Sequence, residues 1–300
     1  MYINDLIEVF PQSTTTKLFA DDVKLYSEIK SDLDFIALQD SLDNLTQWAR
    51  NWQLTISINK CYTLDVGRIS SNIKPTLSKF TNFIDDTSIM SVKSCRDLGV
   101  IIDSKLSFVP HIQEIVEKAK QRMALLLRTF LTKDPHCLMS AFKSYILPIV
   151  DYCSQIWSPH HLKYILLVES VQRVFTKRIP CLKSSSYGER LAFLEITTLE
   201  RRRLDADLIL CYKILHGIIS GPLDKYGLVM SERRSRGHAL KLHVATDKLK
   251  TDERKYFFAN RICQPWNSLP DDVVLAKNVK IFKQKLKSLS LNNFLLINFK

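Results

Sequence analysis

"TKLFADDVKLY", residues 16–26, sets two adjacent carboxylates, Asp21 and Asp22, between two short runs in which apolar and polar residues alternate. Alternation with a period of two marks a strand with one buried face. Residues 17–20 and 23–27 therefore read as two strands, with Phe19, Val23 and Leu25 at apolar positions. Adjacent aspartates repel each other and suit a turn better than a strand. A hairpin that presents two carboxylates fits a hard divalent cation such as magnesium, which takes oxygen ligands and keeps waters and substrate phosphates in its shell. Two such ions about 3.5–4 Å apart can hold the attacking and leaving oxygens of a phosphoryl transfer. For the pair taken alone, a surface hairpin with an Asx-type turn is the simpler account.

The rest of the first third reads as a sheet backed by a helix. Ser31 is a helix N-cap with Asp34 in the capping-box place, and Phe35, Leu38, Leu42, Leu45 and Trp52 recur at three and four, which predicts an amphipathic helix over 32–50. "QLTISINKCYTLDV" predicts an extended hairpin near 53–66, and "DLGVIID" a strand at 97–103. From Pro110 the texture becomes helical, with helices expected at 111–131, 135–157, 160–179, 187–193, 198–219 and 272–288. Pro148 should kink or break the second of these, and Pro159 and Pro180 punctuate the third. Residues 221–250 read as a long polar loop or weak strands. The class is α+β, with a boundary near 110 that separates a mixed layer, 1–109, from a basic helical region, 110–300.

Composition narrows the function classes. At 46% hydrophobic and 25% charged, with 7 Gly and 10 Pro, the chain is an ordinary globular sequence and neither low-complexity nor collagen-like. The net charge of +12 is uneven: residues 1–109 hold 11 Lys/Arg against 14 Asp/Glu, and residues 110–300 hold 32 against 17, or about +15. A basic region of that size suits a polyanion, most simply nucleic acid, although a solvated basic face has the same composition. Seven widely spaced cysteines form no CxxC pair and point to reduced thiols in an intracellular protein, nuclear or cytoplasmic. No apolar run reaches a membrane span. His160 and His161 are adjacent, so on a helix they would not share a face, and Cys181 and Cys211 are remote from any paired ligand, so structural zinc is not expected.

"YINDL", "LFADDVKLY", "WARNWQLTISINKCYTL" and "CRDLGVIIDSKLSFVPHI" follow one another in this order, and "SYILPIVDYCSQIWSPHHLKYILLVESVQRVFTKRI", "RLAFLEITTLERRRLDADLILCYKI" and "RKYFFANRICQPWNSLPDDVV" continue it. Together they resemble the reverse transcriptases of LINE-type (non-LTR) retrotransposons of the Jockey-like sort, over nearly the whole chain. The resemblance implies a partial polymerase palm over 1–109, an antiparallel sheet with a helix, followed by a mostly α-helical thumb and C-terminal region over 110–300. It implies RNA-directed DNA polymerase chemistry, with RNA template, DNA primer and deoxynucleotides as partners and Mg2+, or Mn2+, as the metal. Asp21 and Asp22 would be metal ligands and catalytic, with Phe19 and Ala20 aiming them at the primer end. Lys60 would serve as general acid or countercharge toward pyrophosphate, with Asn59 orienting its turn.

Further positions follow as nucleic-acid contacts. Gly99 would let a primer backbone approach its strand, although a plain turn explains it too. Arg173 lies with Glu169, Gln172 and Thr176 on a polar helix face that either meets nucleic acid or pairs internally. Arg201, Arg202, Arg203 and Lys213 are candidates for phosphate contacts, and "RRSRGHALK" at 233–241 has the same potential. His111 starts a helix and reads as a capping residue or a phosphate contact, and Trp266 and Pro270 read as core anchors. The third palm carboxylate lies on an earlier strand in this family, and neither Asp5 nor Glu8 replaces it. The chain is accordingly expected to be a C-terminal piece, from a truncated copy or a fragment gene model, and inactive alone. A non-catalytic nucleic-acid-binding remnant using the basic helical region is the competing expectation.

Overall fold

The computed structural model describes residues 3–11, 13–67, 81–232, 237–244 and 249–297. The chain divides into two compact units, Met1–Leu106 and Ser107–Lys300. The first combines short strand pairs with one long helix, and the second is almost wholly helical.

In the first unit, β1 (Thr15–Phe19) and β2 (Asp22–Tyr26) pair antiparallel, with Leu18 opposite Val23 and Phe19 opposite Asp22. Helix α1 (Asp32–Asn51) begins where the capping pattern predicts. The Asp34 carboxylate accepts the N–H groups of Lys30 at 2.8 Å and Ser31 at 2.7 Å, satisfying donors ahead of the first turn. Those bonds, the one from Lys30 foremost, hold the Asp34 carboxyl below its ordinary range. Phe35, Leu42, Trp48 and Ala49 form the buried stripe of α1. Leu18 and Val23 pack with Trp48, Ala49 and Leu6, while Leu25 packs with Leu42, Ile84 and Ile89. Phe19, expected on the apolar face, is 62% exposed, and Trp52 caps the helix rather than joining its stripe.

The segment after α1 is not the expected hairpin. Leu54 donates to the Ala49 carbonyl at 2.8 Å, and Gln53 takes a positive φ of 56°, which closes the helix in a left-handed turn. The N–H groups of Lys60 and Cys61 then bond the Ser57 and Ile58 carbonyls, both at 2.9 Å. These local bonds take up donors that a ladder would need, and Ile58–Lys60 becomes a 3-10 turn. Only β3 (Tyr62–Thr63) is extended, and it pairs parallel with β6 (Met90–Ser91). β4 (Phe83–Ile84) and β5 (Thr87–Ser88) form a tight antiparallel pair. "DLGVIID" also divides: Asp97 closes β7 (Ser94–Asp97), Val100 opens β8 (Val100–Asp103), and Leu98 and Gly99 are the loop between them. Among the described residues the strands thus form four separate pairs instead of one sheet.

The second unit opens with α2 (Val109–Thr129), α3 (Pro135–Tyr145), α4 (Leu147–Asp151), α5 (Ser154–Trp157) and α6 (Leu162–Lys177). Pro148 sits in the first turn of α4 and marks the break from α3, as a missing N–H and fixed φ require. A second break, at Cys153 with φ 50°, had no proline or glycine to announce it. Helix α2 packs on α4 and α6, and Phe142 meets Phe175 with ring centroids 4.7 Å apart. Then follow α7 (Tyr187–Phe193), α8 (Leu199–Leu215), α9 (Asp252–Lys255), α10 (Phe258–Arg261), α11 (Cys263–Asn267), α12 (Asp271–Val274) and α13 (Val279–Ser288). The last core gathers Leu208, Tyr212, Ile262, Trp266, Val274 and Phe282. Between α8 and α9 the described residues form a 3-10 turn at Leu223–Tyr226 and an antiparallel bridge, Met230 to Leu242. Residues 233–236 of "RRSRGHALK" lie outside the described residues.

All seven cysteines are free thiols. No helix among the described residues is long and apolar enough to cross a membrane.

Candidate functional site

The carboxylate pair stands at the tip of the β1–β2 hairpin. Phe19 pairs with Asp22, so Ala20 and Asp21 are the two loop residues. A loop this short that matches strand twist demands a left-handed first position, normally glycine. Ala20 fills it with φ 52°, at a strain of about 1–2 kcal/mol. Both aspartates are exposed. An ion pair between Lys24 and Asp97 joins this hairpin to the β7–β8 hairpin. Tyr62 lies in the same surroundings and donates its hydroxyl to the Arg96 carbonyl at 3.1 Å. Burial first, then the charges of Cys95, Asp97 and Asp22, push its hydroxyl pKa up. Among the described residues no further His, Cys, Asp or Glu joins Asp21 and Asp22 in a three-ligand group. Two open carboxylates match in chemistry a hard ion that retains most of its water, and Asp21 and Asp22 are the residues that would hold it. Lys60 is exposed at the end of the 3-10 turn, with Asn59 beside it.

Gly99 occupies the β7–β8 turn with φ 87°, after Leu98 at φ 44°. Two left-handed positions in a two-residue loop are the type I′ arrangement, so the turn itself requires this glycine. Gly99→Ala is expected to destabilise the first unit by about 1–2 kcal/mol, read as a lowered urea midpoint. An unchanged midpoint would contradict the strain argument.

The arginine run of α8 does not form one phosphate-facing row. Arg201 is buried and bonds the Asp205 carboxylate at 2.8 Å, with the Leu286 and Leu289 carbonyls each at 2.9 Å, which closes the C-terminal end of α13. Arg202, partly exposed, pairs with Asp151 at 2.6 Å. Arg203 is buried among the charges of Glu169, Glu200, Asp151 and Asp207, and its Nη atoms have no hydrogen-bond partner among the described residues. A helix at 3.6 residues per turn points three consecutive side chains in three directions, so adjacency in sequence never made them a row. Lys213 is half-buried and Arg173 exposed.

On the polar face of α6, Glu169, Gln172 and Thr176 pair internally, while Arg173 stays exposed. Tyr187 donates to Glu169 Oε1 at 2.5 Å, and Leu199 N–H to Glu169 Oε2 at 2.9 Å. Gln172 Nε2 reaches the Tyr187 hydroxyl at 3.0 Å and the Thr197 carbonyl at 2.9 Å, and Arg190 Nε reaches Thr176 Oγ1 at 3.2 Å. Burial pushes the Glu169 carboxyl up, against the pull of Tyr187 and Arg203. Tyr187 and Arg190 are the partners the sequence reading missed, although their helix was expected at 187–193 and opens with the capping box Ser186-x-x-Glu189. His111 is buried with its ring edge toward Trp157, centroids 5.5 Å apart.

Comparison with known proteins gives four sequence relatives. Over 170 residues the chain is 25% identical to the RNA-directed DNA polymerase from mobile element jockey of Drosophila melanogaster, a match covering 54% of this chain and 18% of that protein. Over 157 residues it is 28% identical to the probable RNA-directed DNA polymerase from transposon BS of the same fly, covering 49% and 16%. The chain is related in sequence to the reverse transcriptases of retrotransposons. It also matches an uncharacterized protein of Caenorhabditis elegans, 25% identical over 129 residues, 42% of this chain and 63% of that one. The chain thus spans less than a fifth of the polymerases it matches and under two thirds of the nematode protein. No protein-family model and no solved structure matches it.

Proposed function

We propose that this chain is a C-terminal portion of the reverse transcriptase of a Jockey-like non-LTR retrotransposon, and that alone it binds an RNA–DNA primer–template without extending it. The observation that supports this most is the Asp21–Asp22 hairpin tip in a chain related to polymerases of mobile elements. Bound magnesium or manganese would neutralise phosphate charge there and polarise the primer hydroxyl. Asp21 and Asp22 would anchor that ion. In a complete polymerase Lys60, on an exposed turn, would supply a countercharge to pyrophosphate. With two carboxylates and no third beside them among the described residues, the ion would be held weakly.

Affinity for the hybrid comes from the basic helical unit. Its open cations, Arg173 and part of Arg202 and Lys213, act in this reading as diffuse phosphate contacts. Anisotropy titration of a labelled hybrid across a salt series tests binding, with log K expected to fall linearly as log salt rises. A slope near zero overturns the binding proposal. Primer extension with magnesium and deoxynucleotides is expected to give no product. Extension that Asp21→Asn abolishes would overturn the proposed inactivity.

A further inference from the structure

His160 and His161 were set aside as neighbours that a helix would point apart. They do not lie in a helix. Helix α6 begins at Leu162, and His161 is its N-cap residue in extended conformation, with its carbonyl accepting the N–H groups of Tyr164 and Ile165 at 3.0 and 3.1 Å. The two imidazole rings come together with centroids 4.0 Å apart. Asp252, ninety-one residues after His161 and at the start of α9, joins them: one ligand atom from each of the three residues lies within 4.8 Å of the others.

We propose that His160, His161 and Asp252 form a binding site for a borderline divalent transition-metal ion, zinc foremost, which ties the loop before α6 to α9. Two imidazoles and one carboxylate are a zinc-type donor set that leaves a fourth position for water, whereas a hard ion such as magnesium prefers oxygen alone. Zinc bonds of about 2.0–2.2 Å need the ligand atoms drawn closer than 4.8 Å. His161 and Asp252 are exposed and free to make that adjustment.

Two further observations support the site. His160 Nε2 is buried and has no hydrogen-bond partner among the described residues, a state that in native proteins calls for a water or an ion. The ligand segments are also held in place. The His160 ring stacks on Tyr256 at 4.0 Å and 4°. Arg261 donates to the Tyr256 carbonyl at 3.0 Å on one segment and to the Gln155 carbonyl at 2.7 Å on the other. These bonds link the two segments that carry the ligands.

The test uses the intact chain after chelator treatment, titrated separately with zinc, cobalt and magnesium chloride. Zinc is expected to bind one ion per chain and to raise the thermal midpoint of the second unit by about 5–10 °C at a hundredfold excess over Kd. Cobalt should give d–d bands without thiolate charge transfer, and magnesium should do neither. His161→Gln and Asp252→Asn, both at exposed positions, should keep the fold by circular dichroism and weaken zinc binding by more than about tenfold. Cys137→Ser and Cys181→Ser, at the two exposed thiols, should leave binding intact. The proposal fails if zinc does not bind, if binding survives both ligand substitutions, or if it disappears with the cysteines.

Discussion

Asp207→Ala is expected to remove about 3–5 kcal/mol of the stability of the second unit, as a fall in unfolding free energy by urea titration. Asp207 is 3% exposed, and Arg261 grips it with two bonds, Nε to Oδ2 at 2.8 Å and Nη2 to Oδ1 at 3.0 Å. Arg203, also buried, adds a second positive charge near the same carboxylate. Burial pushes the Asp207 carboxyl up, and Arg261 pulls against it. Removing the aspartate leaves two desolvated guanidinium groups with one counter-charge fewer. The cost of an uncompensated buried charge is far larger than that of a lost surface pair. Asp207→Asn keeps the shape and part of the bonding, so its loss should be smaller. A cost below about 1 kcal/mol for the alanine variant would mean that the pair is solvated, against the geometry.

Much of the fold could be read from periodicity and punctuation. The helix expected at 32–50 is observed at Asp32–Asn51, because Ser31 and Asp34 cap it and Phe35, Leu42 and Trp48 give it one buried stripe. Pro148 marked a real break. The misses share a cause: bonds local in sequence or contacts remote from it decided the outcome. After α1, i to i+3 bonds at Ile58–Lys60 took donors away from a strand whose alternation looked adequate. "DLGVIID" looked continuous because Leu98 is apolar, yet it occupies a turn with φ 44°. No residue type announced the left-handed Cys153 that separates α4 from α5.

The candidate site was legible in the same uneven way. The position of Asp21 and Asp22 at a hairpin tip follows from the alternation on either side of them. The environment of the arginines was not legible. Arg201 meets carbonyls at Leu286 and Leu289, more than eighty residues away, and a positive run in sequence says nothing about whether its charges are already answered inside. The surroundings of His160 and His161 were equally hidden. Their spacing argued against a shared face only under the assumption of a helix, and their partner Asp252 is remote in the chain.

Trp266→Ala should be as damaging as the loss of Asp207, at about 3–5 kcal/mol, and it separates packing from recognition in the basic unit. An exposed tryptophan among cations would be a natural platform for a base, and its loss would weaken hybrid binding while sparing stability. Trp266 has no exposed surface. Its Nε1 donates to the Leu240 carbonyl at 2.7 Å, the His238 ring meets it edge-on at 5.9 Å, and Phe282 lies at 6.2 Å and is itself stacked on Tyr212 at 4.4 Å. Alanine there opens a cavity where α8, α11 and α13 meet and strands the Leu240 carbonyl. Trp266→Phe fills most of the space and loses only the hydrogen bond, so about 1–3 kcal/mol is expected for it. Both variants, measured well below their thermal midpoints, should bind the RNA–DNA hybrid with the affinity and salt slope of the parent chain. A folded Trp266→Phe variant that binds markedly less well would place this side chain in recognition and refute its assignment to the core.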